Sequence, residues 1–350
     1  MFTKLSISGI HLDAAGLVAL ADLNTIARRT ALIGSASFLD VVYLAPGIHC
    51  QQAATEINGG EYPQTADMER GYVFRIENTA TVSYLQRVGR PGYLTTVTVS
   101  PKVKLGLSGL FGELLCTEPR ASLLFLFGVV INVIVIVLLG VIRDWWALGV
   151  LGMLMLARLV NVVVIKLRQD KDGCKGNKEL PREEGDMLIV LSQDRWIRMK
   201  GKLNDLKMVT AGQWLKESTT LDSFSVSFGT LLVYGSAALA GNASTVGSLL
   251  VACLLLVSVG ILGLSNAATR TQHMFGRTIR VEGERKRYHR RLRMVMDLVE
   301  EYPDGTWPER MELMKTEDRK RTDVTNGAFY FRPSHDFSTY LISVYRPSIG

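Results

Sequence analysis

The chain has 350 residues, a formal net charge of +7 and charged side chains at only 21% of positions, with a mean hydropathy of +0.17. This is low charge and high hydropathy for a soluble protein. Four widely spaced cysteines (Cys50, Cys116, Cys174, Cys253), with no C-x-x-C pair, speak against a disulfide scaffold or a zinc ribbon.

The first 120 residues are charge-neutral and read as a small α+β region. No apolar stretch precedes Asp13, so a cleavable signal peptide is not expected. From His11 to Leu23 the leucines at 12, 17, 20 and 23 have helical spacing. The apolar stretch from Ala31 to Gly47 is interrupted by Asp40 and rich in Ser and Gly, and reads as buried core in preference to a fifth membrane crossing. Tyr72–Ile76 and Tyr93–Val99 have strand composition, separated by the turn signals Gly59-Gly60 and Gly89-Arg90-Pro91-Gly92.

The next 22 positions, Ala121 to Ile142, carry no charge. A bilayer core of roughly 30 Å needs about 20 apolar helical residues, so this is one crossing. Arg143-Asp144 makes a turn, Trp145-Trp146 marks re-entry at the interface, and a second crossing runs to about Ile165. A second charge-free gap of 47 positions between Asp222 and Arg270 holds two more crossings, about Ser223–Ala240 and Val246–Asn266, with a turn at Gly241–Thr245. The fold expected is an α-helical polytopic membrane protein with two hairpins. Its parts are an N-terminal region (1–120), hairpin one (121–165), a central loop (166–222), hairpin two (223–266) and a helical C-terminal region (267–350). Lys and Arg flank the spans at residues 166–178 and 270–293, whereas the two turns hold only Arg143. By the positive-inside rule both ends and the central loop are cytoplasmic. The basic excess follows the membrane segments, which points to bilayer orientation and not to nucleic acid.

Within the spans three polar residues stand out: Asn132, Arg158 and Asn161. An embedded Arg costs at least about 2.5 kcal/mol on insertion scales and needs a partner or water. Counted from the turn, Asn132 lies about 18 Å deep and Arg158 about 21 Å deep at ~1.5 Å per residue. They are expected to hydrogen-bond across the hairpin, with Asn161 one turn beyond. The readings are a structural clasp or a snorkelling side chain, set against an ion or substrate pathway. Small residues at Ser225, Gly229, Ser236 and Ala240 suit close helix approach in lipid.

In the central loop Trp196, Met199, Leu203 and Leu206 fall on one face at three-and-four spacing. This predicts an amphipathic helix lying in the interface or packed on the cytoplasmic region. After the last span, Arg277, Arg280, Arg285, Lys286, Arg287, Arg290, Arg291 and Arg293 form the densest basic run. It is read as a helix that binds anionic lipid, or that only fixes topology. Five histidines show neither an i, i+4 pair nor H-E-x-x-H, so no metal site or cofactor is expected, and no catalytic motif occurs.

The segments Leu191-Ser192-Gln193-Asp194-Arg195-Trp196, Asn204-Asp205-Leu206-Lys207 and Thr210-Ala211-Gly212-Gln213-Trp214-Leu215, leading into a hairpin, resemble uncharacterised multi-pass membrane proteins of filamentous fungi over about residues 186–270. That resemblance implies a membrane protein and no particular activity. The function expected is a membrane scaffold or accessory protein. The alternatives are a transporter or channel subunit working through Arg158 and Asn132, and a membrane-bound enzyme.

Overall fold

The computed structural model describes residues 15–101, 118–169, 184–302 and 306–315. The start of the helical pattern at His11, Cys116, Cys174, Lys171, Lys175, Lys178 and the tail beyond Lys315 lie outside the described residues. The chain opens with α1 (Ala15–Ala19) and α2 (Thr25–Ile33), then two 3₁₀ turns at Phe38–Val41 and Gln51–Thr55. Next come β1 (Gln64–Asp67), β2 (Val73–Arg75), α3 (Thr79–Val88) and β3 (Tyr93–Pro101).

Two long helices follow, α4 (Pro119–Ile142) and α5 (Trp145–Arg168). Pro119 opens α4, where a missing N–H is harmless. Arg143 closes it in the left-handed conformation at φ 58°, and the Asp144 side chain caps α5 through the Ala147 amide. Then come β4 (Glu184–Leu191), β5 (Arg195–Lys202) and α6 (Leu203–Ala211). The second pair is α7 (Thr220–Leu239) and α8 (Thr245–Ala268). A reciprocal Thr219–Asp222 capping box starts α7, and Ser244 caps α8 through the Gly247 amide. The chain continues through β6 (Gln272–Met274), β7 (Arg277–Val281), β8 (Lys286–Arg287), α9 (Arg291–Glu301) and α10 (Trp307–Arg310).

The helices α4, α5, α7 and α8 are each long and apolar enough to cross a membrane. Their outer surfaces are apolar as well: Leu123, Phe127, Val141, Leu221, Phe224 and Leu264 are all exposed. The arms of one hairpin pack on the arms of the other, α4 along α8 and α5 along α7. Gly229 lies on the face of α7 turned to Ala157 and Asn161 of α5, where a Cβ would meet them at ordinary contact distance.

Among the described residues all eight strands join one sheet, in the order β2-β1-β4-β5-β3-β7-β6, with β8 paired to the start of β3. The parallel β3–β5 pair stands among otherwise antiparallel neighbours. Strands from before, between and after the two hairpins are thus neighbours. The N-terminal region, the central loop and the C-terminal region, separate in the sequence reading, form one sheet.

One sheet face packs Leu85, Leu206, Val209, Ile197 and Met199 with Val162 and Ile165 from the end of α5. The other packs Leu188, Trp196, Met294, Leu298 and Trp307, under α9 and α10.

This sheet corrects the expected interfacial helix. Trp196 and Met199 lie on strand β5, pointing to opposite faces, and only Leu203 and Leu206 are helical, on α6. Three-residue spacing puts two side chains on one helix face, but on a strand it puts them on opposite faces. Both faces of β5 are covered, so the alternation of buried and exposed residues that would announce a strand is missing.

Candidate functional site

Asn132, Arg158 and Ser258 each lie thirteen residues after the start and ten before the end of their helices, halfway along the bundle. Between the two helix pairs lies the N-terminal segment around residues 36–52, where Ala36, Tyr43, Leu44, Ala45 and Ile48 are buried. Most of that segment has no regular helix to satisfy its own backbone. A buried unpaired N–H or C=O costs about as much as a lost hydrogen bond, so partners are needed.

Asn132 and Arg158 supply two of those backbone partners, and Asn161 holds a side chain of the same segment. Asn132 Oδ1 accepts from the Leu44 amide at 3.0 Å, while its Nδ2 donates to the Gly128 carbonyl at 2.8 Å and Ser258 Oγ at 3.1 Å. Arg158 donates from Nε to the Asp40 carbonyl at 3.2 Å and from a terminal nitrogen to Gln51 Oε1 at 2.6 Å. Asn161 Oδ1 accepts from Gln52 Nε2 at 3.2 Å. Asn132 and Arg158 therefore do not pair with each other, contrary to expectation. The inserted segment stands between them, and each binds it from its own side.

A second layer reinforces the first. Tyr43 stacks on Phe125 with ring centroids 5.0 Å apart and planes 9° from parallel, and its hydroxyl donates to the Ser258 carbonyl at 2.8 Å. Arg29, on α2, lies with its guanidinium 3.8 Å from the Phe125 ring centre and donates to Ser265 Oγ at 3.3 Å. Burial pushes the Arg29 guanidinium below its ordinary value, and the Asp40 carboxylate counters this. Asp40, itself buried, caps the 3₁₀ turn at the Ser37 amide, and its charge acts on both Arg29 and Arg158. Two guanidinium groups and one carboxylate are thus buried together with the inserted segment, Arg158 at mid-bundle and Arg29 nearer the end of α8.

At the end of α8 nearest the sheet a cavity of about 450 Å³ is lined by Thr25, Arg28, Tyr84, Arg87 and Asn266 among others. Arg87 closes the last turn of α8 by donating to the Asn266 and Thr269 carbonyls. Its guanidinium is held below the ordinary arginine value, by burial first.

A further cluster was not foreseen, because its members are 27 residues apart and carry no spacing signature. Asp22 Oδ1 lies 2.7 Å from His49 Nε2 and accepts from Cys50 Sγ at 3.0 Å. The cluster offers one carboxylate, one imidazole and one thiol, all within 4.8 Å of one another. These are residue types that could hold a metal ion. Burial, then the Asp22 carboxylate, pushes the Cys50 thiol up to about 12. The Cys50 and His49 contacts hold the Asp22 carboxyl below its ordinary value.

The basic run is not a helix. Arg277 and Arg280 lie on β7, Lys286 and Arg287 on β8, and only Arg291 and Arg293 on α9, with Arg285 and Arg290 between elements. Several of these cations are engaged: Arg277 with Asp205 at 2.6 Å, Lys286 with Asp297 at 2.7 Å, Arg291 with Asp194, and Arg285 with the Val88 carbonyl. Arg280, Arg287 and Arg293 are exposed. Tyr288 packs with Trp196 and Leu298, so the run passes to the sheet face opposite the long helices. Dense charge on a short edge strand discourages edge-to-edge pairing, a role that needs no helix.

No protein-family model, curated protein or solved structure matches this chain.

Proposed function

We propose that the chain is a four-span integral membrane protein that serves as a non-catalytic scaffold, holding its eight-stranded sheet domain at the cytoplasmic surface. The exposed apolar surfaces of the four long helices support the crossings, since a water-facing patch of that extent is rare in soluble proteins. Strands from all three extramembrane stretches share one sheet, which supports placing those stretches on one side of the bilayer. Lys and Arg flanking the spans on that side support its being the cytoplasm.

The observation that carries the scaffold reading is the use made of Arg158 and Asn132. Irregular backbone at membrane depth is tolerated only when protein buries and satisfies it. Asn132 binds the Leu44 amide and Arg158 binds the Asp40 carbonyl and Gln51, so both serve to seat the inserted segment. The transporter reading, which rested on these same residues, asks them to face a permeant solute instead.

The test compares wild-type protein with Arg158→Leu and Gln51→Ala, in detergent for stability and in vesicles for flux. A structural Arg158 predicts a loss of up to about 3–6 kcal/mol for Arg158→Leu, since its two hydrogen bonds from a charged donor are worth ~1.5–3 kcal/mol each. It also predicts a smaller, non-additive loss for Gln51→Ala. An Arg158→Leu protein of unchanged stability that loses a measurable wild-type flux of K⁺, Na⁺, Cl⁻ or H⁺ would overturn the proposal in favour of a transporter.

A further inference from the structure

We infer that Asp22, His49 and Cys50 form a three-ligand site for a divalent transition-metal cation of the zinc class, with its fourth position open to solvent or to an incoming ligand. The argument begins with the donor set. A carboxylate oxygen, an imidazole nitrogen and a thiol sulfur stand within 4.8 Å of one another. Mixed N, O and S donors suit zinc, whereas calcium and magnesium take oxygen alone.

Two of the three ligand-to-ligand distances are a little shorter than such an ion requires. Zinc bonds of about 2.0–2.3 Å in a tetrahedron place neighbouring ligand atoms about 3.3–3.7 Å apart. Here His49 Nε2 is 2.7 Å and Cys50 Sγ 3.0 Å from Asp22 Oδ1. The carboxylate must withdraw by roughly half an ångström for the ion to enter between the three atoms. Asp22 is free to do this, its side chain being 82% exposed, while the His49 side chain is only 10% exposed. The ring of His49 rests 6.2 Å from that of Tyr234 on α7, which fixes its aim.

The two loops that bring the ligands together are held in place by backbone contact. Gly47 sits in the left-handed region at φ +88°, and a Cβ there would stand 2.1 Å from the Leu23 carbonyl oxygen. The segment carrying His49 and Cys50 therefore lies directly against the one carrying Asp22. Only glycine permits that approach.

Charge balance completes the fit. On binding, the Cys50 S–H bond is broken and its proton passes to solvent, while the proton His49 holds on Nε2 against Asp22 is exchanged through solvent to Nδ1, so that S–metal and Nε2–metal bonds form and the imidazole stays neutral. One thiolate, one carboxylate and a dication then sum to zero, the state least penalised beside the apolar wall of α7. With three protein ligands the ion keeps an exchangeable position, the arrangement of reactive rather than purely structural zinc sites.

The site is tested on the full-length chain in detergent, stripped of metal and titrated with Co²⁺ as a spectroscopic stand-in for Zn²⁺. The expected result is saturation at a single equivalent, with the strong visible bands of a four-coordinate centre, a thiolate-to-cobalt charge-transfer band, and displacement by Zn²⁺. Cys50→Ser should abolish the charge-transfer band. Cys50→Ser and His49→Ala should each weaken binding by at least about tenfold, a loss that even outer-shell changes can cause. Asp22→Asn, at an exposed position that leaves the fold intact, should weaken binding too, and Cys253→Ser should leave it unchanged. Melting curves in chelator establish that each variant is folded. Failure of the folded wild-type chain to bind a single equivalent would overturn the inference, as would a Co²⁺ spectrum that Cys50→Ser or Asp22→Asn leaves unaltered.

Discussion

Replacing Gly128 by alanine should loosen the inserted segment from the helix bundle. A Cβ on Gly128 would stand 2.3 Å from Tyr43 Cε2 and 2.6 Å from its hydroxyl oxygen. Carbon atoms rest comfortably at about 3.5–4.0 Å, so the ring must retreat by at least ~1 Å. It has little room to do so, being stacked on Phe125 and tethered to the Ser258 carbonyl. Overpacking of this kind costs about 1–3 kcal/mol, and losing the tyrosine hydrogen bond adds about 1 kcal/mol. Alanine returns about 1 kcal/mol of helix propensity. The net expectation is destabilisation by about 1–3 kcal/mol.

The assay is unfolding of the detergent-solubilised full chain, followed by tryptophan fluorescence, in two backgrounds. In the wild-type background Gly128→Ala should lower stability. In a Tyr43→Ala background, where the ring is gone, the same change should be neutral or stabilising. Refutation would be a Gly128→Ala protein as stable as wild type, or an equal effect in both backgrounds, since either would mean that Tyr43 does not sit against α4.

Two further expectations follow from the turns and the sheet. Asp144 accepts from the Ala147 amide at 3.2 Å and from the Ser244 amide at 2.9 Å, so one carboxylate locks the turn of each hairpin to the other. Asp144→Ala should cost about 2–4 kcal/mol by denaturant titration, combining a lost cap with charge-assisted bonds, and a loss of only a few tenths would contradict the shared lock. On the sheet, Arg198 pairs with Asp186 at 2.7 Å and with Glu301. The Arg198 hydrogen bond holds the Glu301 carboxyl below its ordinary 4.5. A depressed carboxyl contributes stability that is complete above its unfolded value and disappears as pH falls through the lower folded value. Stability should therefore decline as pH drops below about 4.5, and the decline should be shallower in Glu301→Gln, as measured by thermal melts across the acid range.

Three of the four long helices were legible because absence of charge over 20 or more positions is a local property, and the fourth because Trp145-Trp146 opens an apolar run to Ile165 broken only by Arg158. The same holds for β2, found within Tyr72–Ile76, for β3, which covers Tyr93–Val99 and runs on to Pro101, and for the turn chemistry at Arg143-Asp144 and Ser244. Arg158 announced itself as anomalous for the same local reason. Its partners could not be read in advance, because the Asp40 carbonyl and Gln51 lie 118 and 107 positions away.

Strand β5 was hidden differently. Arg198 is a buried cation made tolerable by Asp186 on β4 and Glu301 on α9, so charge there gave a false signal of exposure. In the basic run, density of charge suggested one solvated helix. Its carboxylate partners Asp194, Asp205 and Asp297 are scattered over a hundred positions, and only the fold assembles them. The Asp22–His49–Cys50 cluster joins two loops, a juxtaposition that no periodicity encodes.

The path of β3 through the sheet has a bearing on how the molecule is made. Residues 93–101 wait between β5, a hundred positions later, and β7, which ends at Val281. Both neighbours of β3 are separated from it by at least one pair of long helices, so neither edge can be covered while the chain is still short. Such distant pairings are slow to close. A ribosome that stalls after the first hairpin would leave β3 with both edges bare, and one that stalls after β5 would leave it with one. An uncovered strand edge is a template for foreign strands. The nascent chain thus passes through a vulnerable interval that ends only when β7 arrives, and premature termination between residues 101 and 277 is the lesion against which this architecture has least defence.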